Sequence, residues 1–347
     1  MSDKSKPKTI KELGEFELIR KLTGDVIIRH PGSRKGIGDD AAVFDSGNNE
    51  TVLTTDLLLE GIHFDLTYVP LKHLGYKAVV VNLSDVAAMN AVPQQITVSL
   101  GISAKMSLPA VEELYSGIKL ACETYDVDLV GGDTSSSLTG LVISITATGI
   151  ASPGTITYRS GAKVNDIICV SGDLGASYMG LTLLQREKKL FEEDPTTQPK
   201  LDGYQYIIER QLKPEARIDI LNRLRELEIK PNSMIDISDG LSSDLLHICH
   251  ESGTGCRIYA EKIPVHKETE KLAEEMNIGS LVAALNGGED YELLFTVPVA
   301  QFEKLKDEEH ISVIGHITEL SEEAKLVLSD NNTVPLAAQG WRAENAW

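Results

Sequence analysis

Apolar positions recur along this chain in two rhythms. A spacing of three and four over Glu12–Leu22, with Leu13, Phe16 and Ile19 on one face, predicts a helix. Leu71–Met89 is rich in Ala and Val on every face and predicts a buried helix, whereas Pro109–Tyr125 is amphipathic. Short β-branched runs predict strands at Ala41–Phe44, Thr51–Thr55, Gln95–Gly101 and Leu141–Ile150. Asn48 and Asn49, after Gly47, supply the turn between the first two. A shorter strand at Leu129–Val130 is expected to end in the turn Gly131-Gly132-Asp133.

The rhythm breaks over Ala151–Val164, which carries Pro153, Gly154 and Gly161. A domain boundary is placed there, giving residues 1–151 and 152–347. Beyond it, Ile167–Val170 reads as a buried strand, followed by a turn at Ser171–Gly175 and a helix. Phe191–Gly203 is a polar excursion with Pro195 and Pro199. Ala216–Leu227 and Leu241–His250 read as helices, Met234–Ile237 as a strand, and Gly287–Val297 as a turn and a strand. Strands and helices mix in both halves, so the class is α/β or α+β with two domains.

Composition narrows the partners. At 347 residues the chain carries 33 Lys and Arg against 52 Asp and Glu, a net charge of −19. Nucleic acid is a poor partner for that balance, and so is an anionic membrane surface. The four cysteines form no C-x-x-C pair, as expected of reduced thiols. Residues 1–11 are polar and read as a tail without an apolar leader, and no apolar run of about 18 residues occurs. The expectation is a cytoplasmic protein.

The acidic residues are patterned. Asp39-Asp40 lie in GIGDD, Asp56 in TTDLLLEGIHF, Asp85 in NLSDVAAM, Asp133 in GGDTS, and Asp236 and Asp239 in DISDGLSSD. Several adjoin long apolar stretches, so partial burial is expected. Two unit charges about 4 Å apart repel by on the order of 4 kcal/mol at an effective dielectric of about 20. Bound cations offset such repulsion, and an all-oxygen donor set suits Mg²⁺ or Ca²⁺. Metal between aspartates and phosphates would let an acidic protein hold ATP. Any one of these aspartates could equally be a helix cap or an Asx turn. There is no Walker A loop and no EF-hand loop.

In order, GIGDDAAV, TTDLLLEGIHF, NLSDVAAM, GGDTS, TYRSGAKVND, VSGDLG, DISDGLSSDLLHI and GGEDYELLF resemble the thiamine-monophosphate kinase family, over Gly36–Phe295. The resemblance implies a two-domain fold similar to aminoimidazole ribonucleotide synthetase. It implies a homodimer formed through the N-terminal sheets. The implied reaction converts ATP and thiamine monophosphate to ADP and thiamine diphosphate, with several Mg²⁺ ions. Carried over by position, Asp39, Asp56, Asp85, Asp133, Asp236 and Asp239 resemble metal ligands, with Thr54 and Thr55 beside them. Tyr115, Gly132, Asp133, Arg159 and Ser238 resemble ATP contacts, and His63, Glu289 and Trp341 substrate contacts.

The acceptor in that reaction is a phosphate oxygen, already anionic near neutrality. No dedicated catalytic base is therefore expected, and the task reduces to alignment and charge cancellation. Plainer roles stay open. His63 could cap a strand end, Tyr115 and Trp341 could be core, and Glu289 could sit in a turn. Two rival functions also stay open. One is another ATP-activating synthetase of the same superfamily; the other is a non-catalytic acidic module that binds Mg²⁺ or Ca²⁺.

Overall fold

A computed structural model describes residues 15–338, so the expectations for residues 1–11 and Trp341 lie outside the described residues. After helix α1 (Glu15–Thr23), the first half runs β1 (Ser33–Lys35), β2 (Ala42–Asp45), β3 (Glu50–Leu59), α2 (Leu71–Ala88), β4 (Val92–Ser103), α3 (Leu108–Tyr125), β5 (Asp128–Ser137) and β6 (Val142–Ala151). The strands form one mixed sheet in the order β1-β2-β3-β6-β4-β5, parallel only between β4 and β5.

The second half runs β7 (Asp166–Ser171), α4 (Ala176–Glu193), α5 (Gln205–Leu212), α6 (Ile218–Glu226), β8 (Ser233–Asp236), α7 (Leu241–Ser252), β9 (Gly255–Tyr259), α8 (Lys267–Glu275), α9 (Ser280–Asn286), β10 (Leu293–Pro298), α10 (Phe302–Leu305), β11 (Ile311–Thr318), β12 (Ala324–Val327) and β13 (Thr333–Pro335). Its sheet has the order β13-β12-β9-β11-β7-β10-β8 and is antiparallel except between β12 and β9. The architecture is thus two mixed sheets with helices. No helix among the described residues is long and apolar enough to cross a membrane.

Helix α2 organises the molecule. It is buried on nearly every side, as its Ala and Val content leads one to expect, and it carries the polar residues Lys77, Asn82, Ser84 and Asp85 into that setting. One face packs on the inner face of the first sheet, with Val79, Val80 and Leu83 inside a core that includes Val52, Ile96 and Ile145. Full burial of each such side chain contributes about 1.5–3 kcal/mol. At its C-terminal end, Ala87 and Ala88 enter a different core, with Cys169, Met234 and Phe295 of the second sheet. Helix α3 is started by Ser107, whose side chain accepts from the Ala110 N–H, with Pro109 in the first turn. It crosses α2 at backbone contact. A Cβ on Gly75 would lie 2.0 Å from the Leu114 carbonyl oxygen, and one on Gly117 would lie 1.8 Å from that of Lys72.

Two elements depart from the sequence expectation. Strand β3 does not stop at Thr55 but runs to Leu59, so Asp56 is mid-strand. The segment GGDTS is not a turn. It is the middle of β5, an edge strand held by parallel pairing to β4 and exposed on both faces. Exposed on both faces, its residues need no apolar alternation, and the sequence carries none.

Candidate functional site

Strand β3 alternates Val52, Thr54 and Asp56 toward α2 with Leu53, Thr55 and Leu57 away from it. Helix α2 answers with three polar side chains in one turn of sequence, Asn82, Ser84 and Asp85. The Asn82 Oδ1 accepts from the Asp56 N–H at 3.1 Å, and Thr54 Oγ1 donates to Asp85 Oδ2 at 2.6 Å. Ser84 Oγ donates to Asp236 Oδ2 at 2.6 Å, where β8 ends. Asp40 enters from the loop before β2. Oxygens of Asp40, Asp85 and Asp236 all lie within 4.8 Å of one another.

Electrostatics marks this cluster as incomplete. Repulsion at that separation is on the order of 3 kcal/mol per pair at an effective dielectric of about 20. Burial pushes Asp40, Asp56 and Asp236 each up to about 6; the Arg159 guanidinium opposes it at Asp40 and the Ser84 hydrogen bond at Asp236. Asp85 is driven well above the usual carboxylate range by burial, then by the charges of Asp56, Asp236 and Asp40. Arg159 binds Asp40 Oδ1 through Nε at 3.2 Å and Nη2 at 2.6 Å. The other oxygen, Asp40 Oδ2, is buried with no hydrogen-bond partner. An all-oxygen set with one orphaned, desolvated carboxylate oxygen fits a hard divalent cation.

The other expected residues fall into three places. Asp39 adjoins the cluster but is turned from it: Oδ1 accepts from the Arg159 N–H at 3.0 Å, and Oδ2 lies 3.4 Å from Lys35 Nζ. Ser238 is exposed and Asp239 half-buried, on the loop between β8 and α7. Glu289 lies beside that loop, its N–H donating to the Ser238 carbonyl at 2.8 Å. His63 Nδ1 accepts from the Leu59 N–H at 3.0 Å, just past the end of β3.

Thr55 and Asp133 are elsewhere. The register partners Asp56, Ile145, Val98 and Gly132 form one inward row across the sheet, and Leu57, Ser144, Ser99 and Asp133 form the next, outward row. Asp133 is therefore on the opposite face from Asp56, three strand intervals or roughly 14 Å away. Thr55 shares that outer face, bonded to the Ile145 carbonyl at 3.0 Å. Tyr115 and Gly132 do come together. With Val98, Leu129 and Asp133 they line an open cleft of about 520 Å³ at the sheet edge.

Sequence reasoning gave several residues no site role, though it named Asp40 among the patterned acids. Asp40, not taken as a ligand, is the carboxylate that GIGDD delivers to the cluster. Adjacent residues point apart, and spacing alone does not say which points in. Asp244 is buried in the first turn of α7, its Oδ2 accepting from the N–H groups of Asp239 at 3.2 Å and Gly240 at 3.1 Å. Its position four after a glycine that starts a helix was the available signal. Tyr291 is buried, and its phenol is pushed further up by burial and by the nearby charges of Glu289, Asp56 and Asp236.

The chain is similar to known proteins over nearly its whole length. Residues 38–151 match the AIR synthase related protein, N-terminal domain, and residues 163–326 match the corresponding C-terminal domain. The chain is 35% identical over 333 residues to a thiamine-monophosphate kinase of Aquifex aeolicus, covering 96% of this chain and 99% of that one. It is 34% identical to one of Bacillus subtilis, covering 95% and 99%. The solved structure of AaThiL complexed with AMPPCP and TMP superposes with a TM-score of 0.83 at 33% identity, over 97% of this chain and 99% of that one. On those grounds the chain belongs to the thiamine-monophosphate kinase family.

Proposed function

We propose that the chain transfers the γ-phosphoryl group of ATP to the phosphate of thiamine monophosphate, giving thiamine diphosphate and ADP, with magnesium. The observation that carries the reading is the cluster of Asp40, Asp85 and Asp236, drawn from both halves and left with a buried, unpartnered carboxylate oxygen. Asp40, Asp85 and Asp236, with Asp56 beside them and Asp39 and Asp239 at the margins, would hold the cations. Bound there, magnesium supplies charge neutralisation for two phosphate groups brought together. The rest is positioning. Arg159 fixes Asp40, Ser84 fixes Asp236 and Thr54 fixes Asp85, so the ligands are set before substrate arrives. No side chain is needed as a base, because the acceptor oxygen is already anionic.

ATP is assigned to Tyr115, Gly132, Asp133, Arg159 and Ser238, and the thiamine end to His63, Glu289 and Trp341. These two sets are consistent with one active site only if a second chain takes part. Tyr115, Gly132 and Asp133 lie at the sheet edge, away from Asp56. The outer face of the same sheet exposes Leu53, Leu57 and Ile150, an uncovered apolar surface suited to a second copy. We assign the protein as a homodimer through this sheet, with Thr55 and Asp133 facing the interface.

The test is incubation of the protein with ATP, Mg²⁺ and thiamine monophosphate, following thiamine diphosphate by fluorescence after oxidation. Product is expected, with at least a hundredfold less from Asp85→Asn or Asp56→Asn, in line with loss of electrostatic stabilisation. A wild-type protein that binds Mg²⁺ but neither nucleotide nor thiamine monophosphate by calorimetry would instead be the non-catalytic module.

A further inference from the structure

Lys77 is 6% exposed, and no other lysine among the described residues is buried. An enclosed ammonium is retained only where its charge and its donors are met. Here Nζ donates to the Gln211 carbonyl at 3.2 Å and lies 3.0 Å from Glu289 Oε1. Glu289 Oε2 in turn accepts from Gln211 Nε2 at 3.1 Å, and Gln211 Oε1 accepts from Ser177 Oγ at 2.5 Å. The carboxylate of Glu289 is thus gripped at both oxygens, by α2 on one side and α5 on the other.

The backbone is held as firmly. Glu289 takes a φ of +58° and its neighbour Gly288 one of +71°. A left-handed conformation at a non-glycine residue persists only where its surroundings dictate it. On one side the Glu289 N–H bonds Ser238; on the other, Asp290 accepts from the Gly175 N–H at 2.7 Å and the Ser177 N–H at 3.3 Å. Yet the Glu289 side chain remains 31% exposed. Each carboxylate oxygen keeps lone-pair capacity beyond the one contact it makes. This is the form of an acceptor pre-set toward a ligand, not of a buried structural ion pair.

Its position fits one end of an extended substrate. Lys77 lies eight residues before Asp85 on the same helix, on the order of 12 Å along the axis. The helix therefore sets the distance between the carboxylate cluster and the Glu289 carboxylate.

We propose that Lys77 is a positioning residue for the acceptor substrate. It holds Glu289 in one orientation, so that Glu289 meets the nitrogen-bearing end of thiamine monophosphate by hydrogen bonding, and it has no role toward ATP. The proposal rests on the assignment of Glu289 to the substrate. A free glutamate would have to be ordered at each binding event, and its ammonium neighbour removes that cost in advance.

The experiment is steady-state kinetics on the full chain with ATP, Mg²⁺ and thiamine monophosphate, for Lys77→Met and Lys77→Arg, each alone and combined with Glu289→Gln. Lys77→Met should raise KM for thiamine monophosphate roughly tenfold, the scale of re-freezing one long side chain. KM for ATP should stay within about twofold and kcat within about threefold on the same argument. Lys77→Arg should recover most of the loss, and Lys77→Met should add nothing in the Glu289→Gln background. Lys77→Gln replaces Lys77→Met if that variant does not fold. The proposal is overturned if both KM values rise together, if kcat alone falls, or if the two substitutions act independently. A wild-type protein that turns over normally while Lys77→Met leaves KM unmoved overturns this inference only. A wild-type protein with no turnover overturns the function reading and this one with it.

Discussion

Ser84 and Asp236 are 152 residues apart in sequence and 2.6 Å apart in space, Oγ donating to Oδ2. Ser84 belongs to the helix that fills the first sheet's core, and Asp236 ends a strand of the second sheet. The bond joins the two halves at the point where the carboxylates meet. Because Ala87 and Ala88, one turn on, are buried in the second sheet's core, α2 is fixed at this junction by packing and not by the bond alone. The cluster therefore depends on helix placement and is largely formed before any ligand binds.

Ser84→Ala follows directly. Asp236 Oδ2 loses its donor inside the protein, which costs about 1–3 kcal/mol of stability. The hydrogen bond favours the charged carboxylate, so its loss moves Asp236 further up. The expected result is an activity that needs several-fold more Mg²⁺ at pH 7 and recovers at pH 8.5. A Mg²⁺ titration of turnover at the two pH values checks this.

Metal removal should expose the same chemistry in stability. Asp40, Asp56 and Asp236 sit at about 6 when folded, against 3.8 when unfolded. Between those values the folded state binds more protons than the unfolded state, so stability falls as pH rises. The favourable contribution is complete below about pH 4 and is lost as pH passes through about 6. In EDTA, Tm should therefore drop between pH 5 and pH 7.5. With saturating Mg²⁺ the cation takes over from the protons, so the gain in Tm from Mg²⁺ should be greater at pH 7.5 than at pH 5. An equal gain at both would remove the cation from this cluster.

Gly117→Ala probes the scaffold without touching the site. The added Cβ would stand 1.8 Å from the Lys72 carbonyl oxygen, so α2 and α3 must separate. Overpacking of this kind costs about 1–3 kcal/mol or more. The denaturation midpoint should fall accordingly, and kcat should fall too, because α2 carries Asp85.

The framework of this molecule was legible where a local pattern sufficed. The buried helix at Leu71–Met89 was visible because it is rich in Ala and Val, and α3 because Pro109–Tyr125 is amphipathic, whereas its Ser107 cap was not read. Only the start of β5, at Leu129–Val130, was legible; its continuation through Gly131–Ser137 was not, since an edge strand exposed on both faces leaves no apolar rhythm. The helices α8 and α9 and strands β9 and β11–β13 were also passed over. Within the site, the aspartate strings were plain, but their grouping was not. Asp40 and Asp39 differ only in which way each side chain turns, and Asp133 reads like Asp56 until the sheet register puts it on the other face. Ser84, Asn82 and Lys77 look like ordinary helix polar residues. Their roles come from what the second half of the chain brings against α2.

That register leads to the last prediction. Asp133 is about 14 Å from Asp56 and faces the other way, so within one chain the two cannot share a cation. If both serve one phosphate site, Asp56 must work with Asp133 of the partner subunit. Asp56→Asn and Asp133→Asn should each be inactive as pure proteins. Co-expressed with distinguishable tags, they form mixed dimers in which one site carries both substitutions and the other carries neither. A two-fold dimer assembled at random would then recover about a quarter of the wild-type rate, all of it in the doubly tagged fraction. Were Asp133 to act within its own chain, every site would carry one lesion and the mixed dimers would stay inactive. Turnover of the purified mixed dimer decides between the two, and gel filtration of each pure variant shows whether the dimer forms at all.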